Sequence, residues 1–263
     1  MGNKLELTLE DKIAIITLTD SKNYNPLNQE TAIELLNELV NLKNRDDIRC
    51  VLITGSGKAF SAGGDVKKFK QSIEDGNPGQ LMDDLTKDLY QIAQELRLYP
   101  KPVIAAVNGW AVGAGMNLAL SCDLIIASEQ AKFRQSFSNL ALIPGFAGSI
   151  LLSRQLTWQQ AAKMAFFGDT YSALEMKELG LVNEVVAPDE LKKKALEWAK
   201  RLAEGPTLTY ARTKKLFYDA LSTSLDKHLE DERQMQIKSA ETEDYKIGVN
   251  AILSKTKPEF IGK

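Results

Sequence analysis

Residues 101–127 read KPVIAAVNGWAVGAGMNLALSCDLIIA. Val103–Val107 is a short apolar run with the composition of a buried strand. Gly109 and the run Gly113, Ala114, Gly115 make a tight, small-residue turn after it. Met116–Leu120 then supplies helix formers, and Asp123–Ala127 returns to strand composition. A strand that passes through a glycine-rich turn into a helix leaves backbone N–H groups unpaired at the helix's positive end. Such a turn suits an oxyanion or another anion.

Upstream of that stretch, Leu5–Leu9 and Ile13–Leu18 flank Asp11 and Lys12 in the pattern of a hairpin. Asp20–Leu27 is a polar loop containing Tyr24 and Pro26. Asn28–Leu42 carries Ile33, Leu35, Leu36, Leu39 and Val40 at helical spacing, with Asn28 as the cap. Cys50–Thr54 predicts a strand, and Ala59–Asp65 (AFSAGGD) a second small-residue turn. Val66–Leu98 is charged and interrupted by Gly76, Pro78 and Gly79, so a mobile loop is expected before a helix over Leu81–Leu98.

Downstream, Phe133–Ile143 predicts a short strand and a turn, and Gly148–Leu156 and Trp158–Phe167 predict helices, the second capped by Thr157. Ala173–Gly180 reads as a short helix and Leu181–Val186 as a strand. Asp189–Ala203, Thr207–Thr223, Leu225–Glu243 and Tyr245–Leu253 read as amphipathic helices. No repeat is exact, but a strand–strand–helix rhythm recurs. It predicts an α/β coil of similar turns in which helices bury both faces of parallel strands.

Composition excludes several functions. The 263 residues are 44% hydrophobic and 26% charged, which suits a soluble globular chain of one large domain or a domain with a helical appendage. A net charge of −2 provides no field to attract nucleic acid or anionic lipid. Cys50 and Cys122 lie in apolar contexts and are expected as buried free thiols, with no disulfide and no metal site, because no ligand stands at the right spacing. No apolar stretch would span a membrane and MGNKLELTLE lacks a signal-peptide core, so the expected location is cytoplasmic.

Three blocks carry a resemblance: AFSAGGDVKKF (59–69), KPVIAAVNGWAVGAGMNLALSCDLIIASEQAKF (101–133) and ALEMKELGLVNEVV (173–186). Together they resemble the crotonase superfamily of acyl-CoA enzymes. GAGMNLALSCDLIIAS with FSNLALIPG is most similar to the Δ3,Δ2-enoyl-CoA isomerase branch that includes phenylacetate-pathway isomerases. The resemblance implies a spiral of ββα turns bearing the acyl-CoA site over residues 1–195. It also implies a C-terminal helical region over 196–263 that builds homotrimers or dimers of trimers. Trp198, Phe217, Tyr218 and Tyr245 supply apolar surface for that assembly.

By the same resemblance, two backbone N–H groups hold the thioester oxygen, and the matching positions are Gly64 and Ala114. Lys22 and Tyr24 match a loop along the CoA arm, Ala62, Asp65 and Val66 flank the first donor, and Lys67 stands within reach of a phosphate. Asp65 is equally suited to cap the helix after it. Gly113 and Pro144 complete the expected substrate-binding set. CoA is part of the substrate, and no separate cofactor, metal, nucleic acid or membrane partner is expected.

The acid/base positions depart from the pattern. Hydratases of the superfamily place one glutamate where this chain has Asn117 and another where it has Phe137. Related isomerases place a carboxylate where it has Gly145. A positioned carboxylate is worth roughly 10²–10⁴-fold in rate, so ordinary hydration is not expected. His228 is expected at a surface or interface, Asp123 in a structural role and Cys122 in the core. Asp83, Asp84, Asp88 and Tyr90 fall in a helix that the resemblance implies lines the acyl pocket, each of them expected as a solvated helix residue. Met116, Phe137, Leu142, Ile143 and Phe146 are expected to make the acyl end apolar. Three readings remain: an isomerase-like acyl-CoA enzyme with an atypical proton carrier, a decarboxylase that needs only the oxyanion hole, and a non-catalytic acyl-CoA binder.

Overall fold

The computed structural model describes residues 3–220 and 222–263. Strands β1 (Leu5–Glu10) and β2 (Ile13–Leu18) form the expected hairpin, with Leu5 opposite Leu18 and Asp11 turning at φ 51°. Helix α1 (Gln29–Lys43) follows, its first turn capped by Asn28, whose side chain accepts from Thr31 N. Strands β3 (Cys50–Gly55) and β4 (Ala59–Ser61) then lead to α2 (Val66–Glu74) and α3 (Pro78–Leu98).

The expected mobile loop after Val66 is thus a helix. Asp65 Oδ1 accepts from Lys67 N at 3.0 Å and Lys68 N at 3.4 Å, which starts it, and Gly76 at φ +72° turns the chain after its end. Pro78 stands in the first turn of α3, where its missing N–H costs nothing, so that helix begins earlier than expected.

Strands β5 (Val103–Val107) and β6 (Trp110–Val112) precede α4 (Ala114–Ser121), and β7 (Leu124–Ser128) and β8 (Lys132–Arg134) follow it. A 3-10 turn over Ser136–Leu140 leads to α5 (Gly148–Gln155) and to α6 (Trp158–Phe167), which Thr157 and Gln160 open with a capping box. The core ends with β9 (Thr170–Ser172), α7 (Ala173–Glu178) and β10 (Glu184–Val186). β10 is shorter than expected because Leu181 and Val182 turn into the core before it begins.

From β3 onward the chain repeats one path. β3, β5 and β7 run parallel within a six-stranded sheet ordered β1-β2-β3-β5-β7-β10. β4, β6 and β8 run parallel in a four-stranded sheet closed by antiparallel β9. Each turn therefore gives one strand to each sheet and a helix after them, wholly buried in the case of α4, then advances by one strand. This is the spiral of ββα turns that the resemblance implied, and it agrees with the strand–strand–helix rhythm.

Period-two alternation divides the core. Val51, Ile53, Val103, Ala105 and Val107 face the space between the sheets, while Cys50, Leu52, Ile104 and Ala106 face outward. The outward set is covered by α8 (Leu191–Ala203), whose Leu191, Ala195, Ala199 and Ala203 recur every fourth residue and let it lie close. The boundary expected between 195 and 196 falls inside this helix. Both cysteines are free and buried, and burial pushes both thiols up.

Three further helices, α9 (Thr207–Asp219), α10 (Leu225–Ala240) and α11 (Glu243–Ser254), follow α8. Leu221, within the helix expected over Thr207–Thr223, lies outside the described residues. Lys214 anchors α9 by donating to Asp123 at 2.8 Å and to Leu96 O and Lys101 O, both at 3.2 Å. Trp198 packs partly buried against the outer core, whereas Phe217 and Tyr245 project into solvent. Among the described residues no helix is long and apolar enough to cross a membrane, and no group of three or more His, Cys, Asp or Glu side chains gathers to hold a metal.

Candidate active site

The two small-residue turns meet where β4 and β6 leave the smaller sheet. Gly63 has φ +77°, and a Cβ placed on it would lie 2.4 Å from Val112 O and 3.1 Å from Ala114 N. A Cβ on Gly115 would lie 2.3 Å from Ser61 O. The two backbones are in contact, and only glycine allows that approach.

Flanking amides are satisfied: Gly63 N donates to Ser61 Oγ at 3.1 Å and Gly113 N to Arg134 O at 2.8 Å. The N–H groups of Gly64 and Ala114 donate to no acceptor among the described residues. Gly113, at φ 52° and ψ −118°, turns the chain so that Ala114 opens α4 with a free N–H at its positive end.

Gly64 and Ala114 line one cavity of about 90 Å³. Met82, Leu85, Thr86, Leu89 and Tyr90 of α3 form one wall; their three- and four-residue spacing sets them on one helix face. Phe137, Leu140, Leu142, Gly145 and Phe146 form the opposite wall, and Phe69 covers Gly64. Among the described residues, no carboxylate, imidazole or cationic side chain lines this space. Two donors aimed into an apolar cavity can bind a carbonyl oxygen and hold it more strongly as it gains charge.

The family model for enoyl-CoA hydratase/isomerase matches residues 8–263. The chain belongs to that family. The 1,2-epoxyphenylacetyl-CoA isomerase of Escherichia coli strain K12 is 35% identical over 256 residues, covering 97% of both chains. The short-chain-enoyl-CoA hydratase of Clostridium acetobutylicum is 34% identical, over 98% of this chain and 97% of its own. A crystal structure of an enoyl-CoA hydratase from Polaromonas sp. JS666 superposes with a TM-score of 0.92 at 33% identity, covering 97% of this chain and 98% of that one.

Set in this hydratase/isomerase fold, the expected site residues separate into groups. Ala62, Val66 and Gly113 line the cavity with Gly64 and Ala114. Lys22 and Tyr24 lie on an exposed loop outside it, joined to the first turn where Ala62 N donates to Tyr24 O at 2.8 Å. Lys67 Nζ donates to Asn23 Oδ1 of that loop at 3.3 Å. Asp65 caps α2 and is not part of the lining.

Pro144 and Ile143 face a different cavity of about 460 Å³, beyond Tyr90, so Ile143 does not belong to the small apolar one. Met116, on α4, is wholly buried and does not line the cavity. The 142–147 loop divides between the two cavities, Leu142, Gly145 and Phe146 lining the smaller and Ile143, Pro144 and Ala147 the larger.

Of the three positions at which the resemblance led a carboxylate to be expected, Phe137 and Gly145 line the cavity and Asn117 is wholly buried outside its lining. Asn117 Nδ2 donates to Gly145 O at 2.7 Å, and its Oδ1 accepts from Gln135 Nε2 at 2.5 Å. Asp83 pairs with Lys87, and neither it nor Asp84, Asp88 or His228 reaches the cavity. Asp123 accepts from Val103 N and Lys214 Nζ; burial raises its carboxyl above the ordinary value, opposed by Lys214. Phe69, Leu85, Thr86, Leu89 and Ser136 also line the cavity but are absent from the sequence-derived set. The spacing of 82, 85, 86, 89 and 90 was the available signal for the α3 wall.

Proposed function

We propose that this chain binds an enoyl-CoA thioester with its carbonyl oxygen between the Gly64 and Ala114 N–H groups, and that it stabilises the enolate formed there. The observation carrying this reading is the pair of unpartnered N–H groups on touching turns, opening into one apolar cavity. When a bond at the carbon beside the thioester breaks, the electron pair moves toward the carbonyl oxygen. Each preorganised donor then stabilises that oxygen by about 3 kcal/mol, and the apolar lining strengthens the effect. Ala62, Val66, Lys22 and Tyr24 lie along the CoA arm, and CoA enters as part of the substrate.

The reaction is isomerisation rather than hydration. Water addition requires a base for the water and an acid for the carbon, and no carboxylate lines the cavity to serve as either. The test is a comparison of three CoA thioesters. Double-bond migration in trans-3-hexenoyl-CoA without hydration of crotonyl-CoA is expected. Hydration of crotonyl-CoA at a comparable rate would overturn this assignment.

A carboxylate-free cavity also suits decarboxylation, in which departing carbon dioxide leaves the enolate without any base. Release of carbon dioxide from a malonyl-CoA thioester, with 3-hexenoyl-CoA unchanged, would favour that reading. Tight acyl-CoA binding with no turnover of any of the three would make the chain a non-catalytic binder.

A further inference from the structure

We propose that the hydroxyl of Tyr90 carries the proton at the carbon beside the thioester carbonyl, making Tyr90 a catalytic residue of this site. The proposal rests on the reading of Gly64 and Ala114 as oxyanion donors. Tyr90 is the one titratable side chain among the residues that line the cavity. Its hydroxyl has no hydrogen-bond partner among the described residues. Two neighbours on or beside the same helix differ: Thr86 Oγ1 donates to Met82 O at 2.6 Å, and Tyr99 Oη donates to Leu39 O at 2.7 Å.

The position of the hydroxyl follows from the opposite wall. A Cβ built on Gly145 would lie 3.8 Å from Tyr90 Oη and 3.4 Å from Phe137 Cε1. Because residue 145 has no side chain, the phenol faces bare backbone and the Phe137 ring. It therefore has nothing on that side to hold it away from a bound acyl chain. Ser136 also brings a hydroxyl to the lining, but an aliphatic hydroxyl gives up its proton far less readily than a phenol, and no imidazole or carboxylate stands there to activate it.

The chemistry balances with Tyr90 and solvent: a hydroxide ion from bulk water, which reaches the 46%-exposed tyrosine, first takes the phenol proton and leaves as water. The phenolate oxygen takes a proton from the α-carbon of a 3-enoyl thioester. The C–H electron pair becomes the π bond between the α-carbon and the carbonyl carbon, and the carbonyl π pair moves onto the oxygen between Gly64 N–H and Ala114 N–H. The phenol then returns a proton to the γ-carbon, the double bond settles between the α- and β-carbons, and the phenolate is restored. The titratable and charged groups facing Tyr90 are Arg97 on its own helix, Arg154 from α5 and Tyr218 from α9, all lining the larger cavity.

The experiment compares wild type with Tyr90→Phe in deuterium oxide, following exchange into trans-3-hexenoyl-CoA by NMR and binding of hexanoyl-CoA by calorimetry. Wild type is expected to exchange the α-proton at a rate that climbs with pD. Tyr90→Phe is expected to lose at least about 10²-fold of that rate, to flatten the pD profile, and to keep its hexanoyl-CoA affinity within about threefold. Exchange retained within tenfold in Tyr90→Phe overturns the proposal. So does loss of exchange and affinity together, which marks a structural role. A wild type that binds hexanoyl-CoA but exchanges nothing overturns the role of Tyr90 and leaves the thioester site standing. A wild type that does not bind it overturns both. If Tyr90→Phe fails to fold, the wild-type profile decides, and a rate independent of pD refutes the proposal.

Discussion

The side-chain amide of Asn117 donates to the carbonyl oxygen of Gly145 at 2.7 Å, and so ties α4 to the loop on the far wall of the cavity. Gln135 Nε2 donates to the same amide at 2.5 Å, and Gly148 packs against it so closely that a Cβ would lie 2.2 Å from Asn117 Nδ2. Asn117 is wholly buried. Its role in the structure is to tie these elements together, and a longer side chain would collide with Gly148.

Asn117→Ala should therefore destabilise the fold by about 2 kcal/mol, because the buried Gln135 amide loses its acceptor and Gly145 O loses one of two donors. Urea unfolding of the two proteins measures this. A difference below about 0.5 kcal/mol would show that the tie is not stabilising.

Gly145→Asp should fold normally. A Cβ at residue 145 meets only ordinary contacts, at 3.4 Å to Phe137 and 3.8 Å to the Tyr90 hydroxyl, and its backbone is not in the left-handed region. The new carboxylate would enter the cavity as a base. Isomerisation of trans-3-hexenoyl-CoA should rise by about tenfold or more. A rate no greater than wild type's, with the variant folded, would show that a carboxylate from this position does not reach the reacting carbon.

Asp20 gives the fold an acid-sensitive contact. The Lys4 ammonium, donating at 2.9 Å, holds the Asp20 carboxyl below its ordinary value, and Asn23 adds to the effect. A depressed carboxyl contributes stability above its unfolded value and loses it as the pH falls through the folded one. From pH 7 toward pH 3, Asp20→Asn should thus lose less stability than wild type, with a difference of about 1 kcal/mol at neutral pH. Parallel urea midpoints across that range would refute the contribution.

The helices expose several large apolar side chains. Phe217 is 71% exposed, and Phe166, Phe167, Ile252 and Leu253 also project into solvent. Single exposed apolar residues are common, but so many large ones suit a face that a second copy covers. The proposed assembly is a homotrimer or a pair of them. Sedimentation equilibrium at micromolar concentration should return three or six times the chain mass, and a monomeric mass would refute it.

Several features were legible in the residues because their causes are local. Alternation placed the strands, and helix caps at Asn28 and Thr157 marked starts that hydrogen bonds then confirm. The glycine-rich turns after Ser61 and Val112 declared themselves by composition, as did buried thiols at Cys50 and Cys122. The helix over Val66–Glu74 was missed because its charges and the nearby Gly76 outweighed a single capping aspartate in the pattern.

What the residues alone could not decide depends on which chain segments meet. Gly63 lies against Val112 and Ala114, nearly fifty positions on, only because β4 and β6 are paired in the smaller sheet. The division of residues 142–147 between two cavities and the inward face of α3 arise from packing, which turns one side of each segment toward a shared space. Asn117 reads in sequence as a lost carboxylate, yet tertiary contact makes it the tie to Gly145. Sequence determined the turns, strands and free thiols through local rules. Only the fold, by closing one spiral turn against the next, decided that two free N–H groups and one tyrosine share a cavity without a carboxylate.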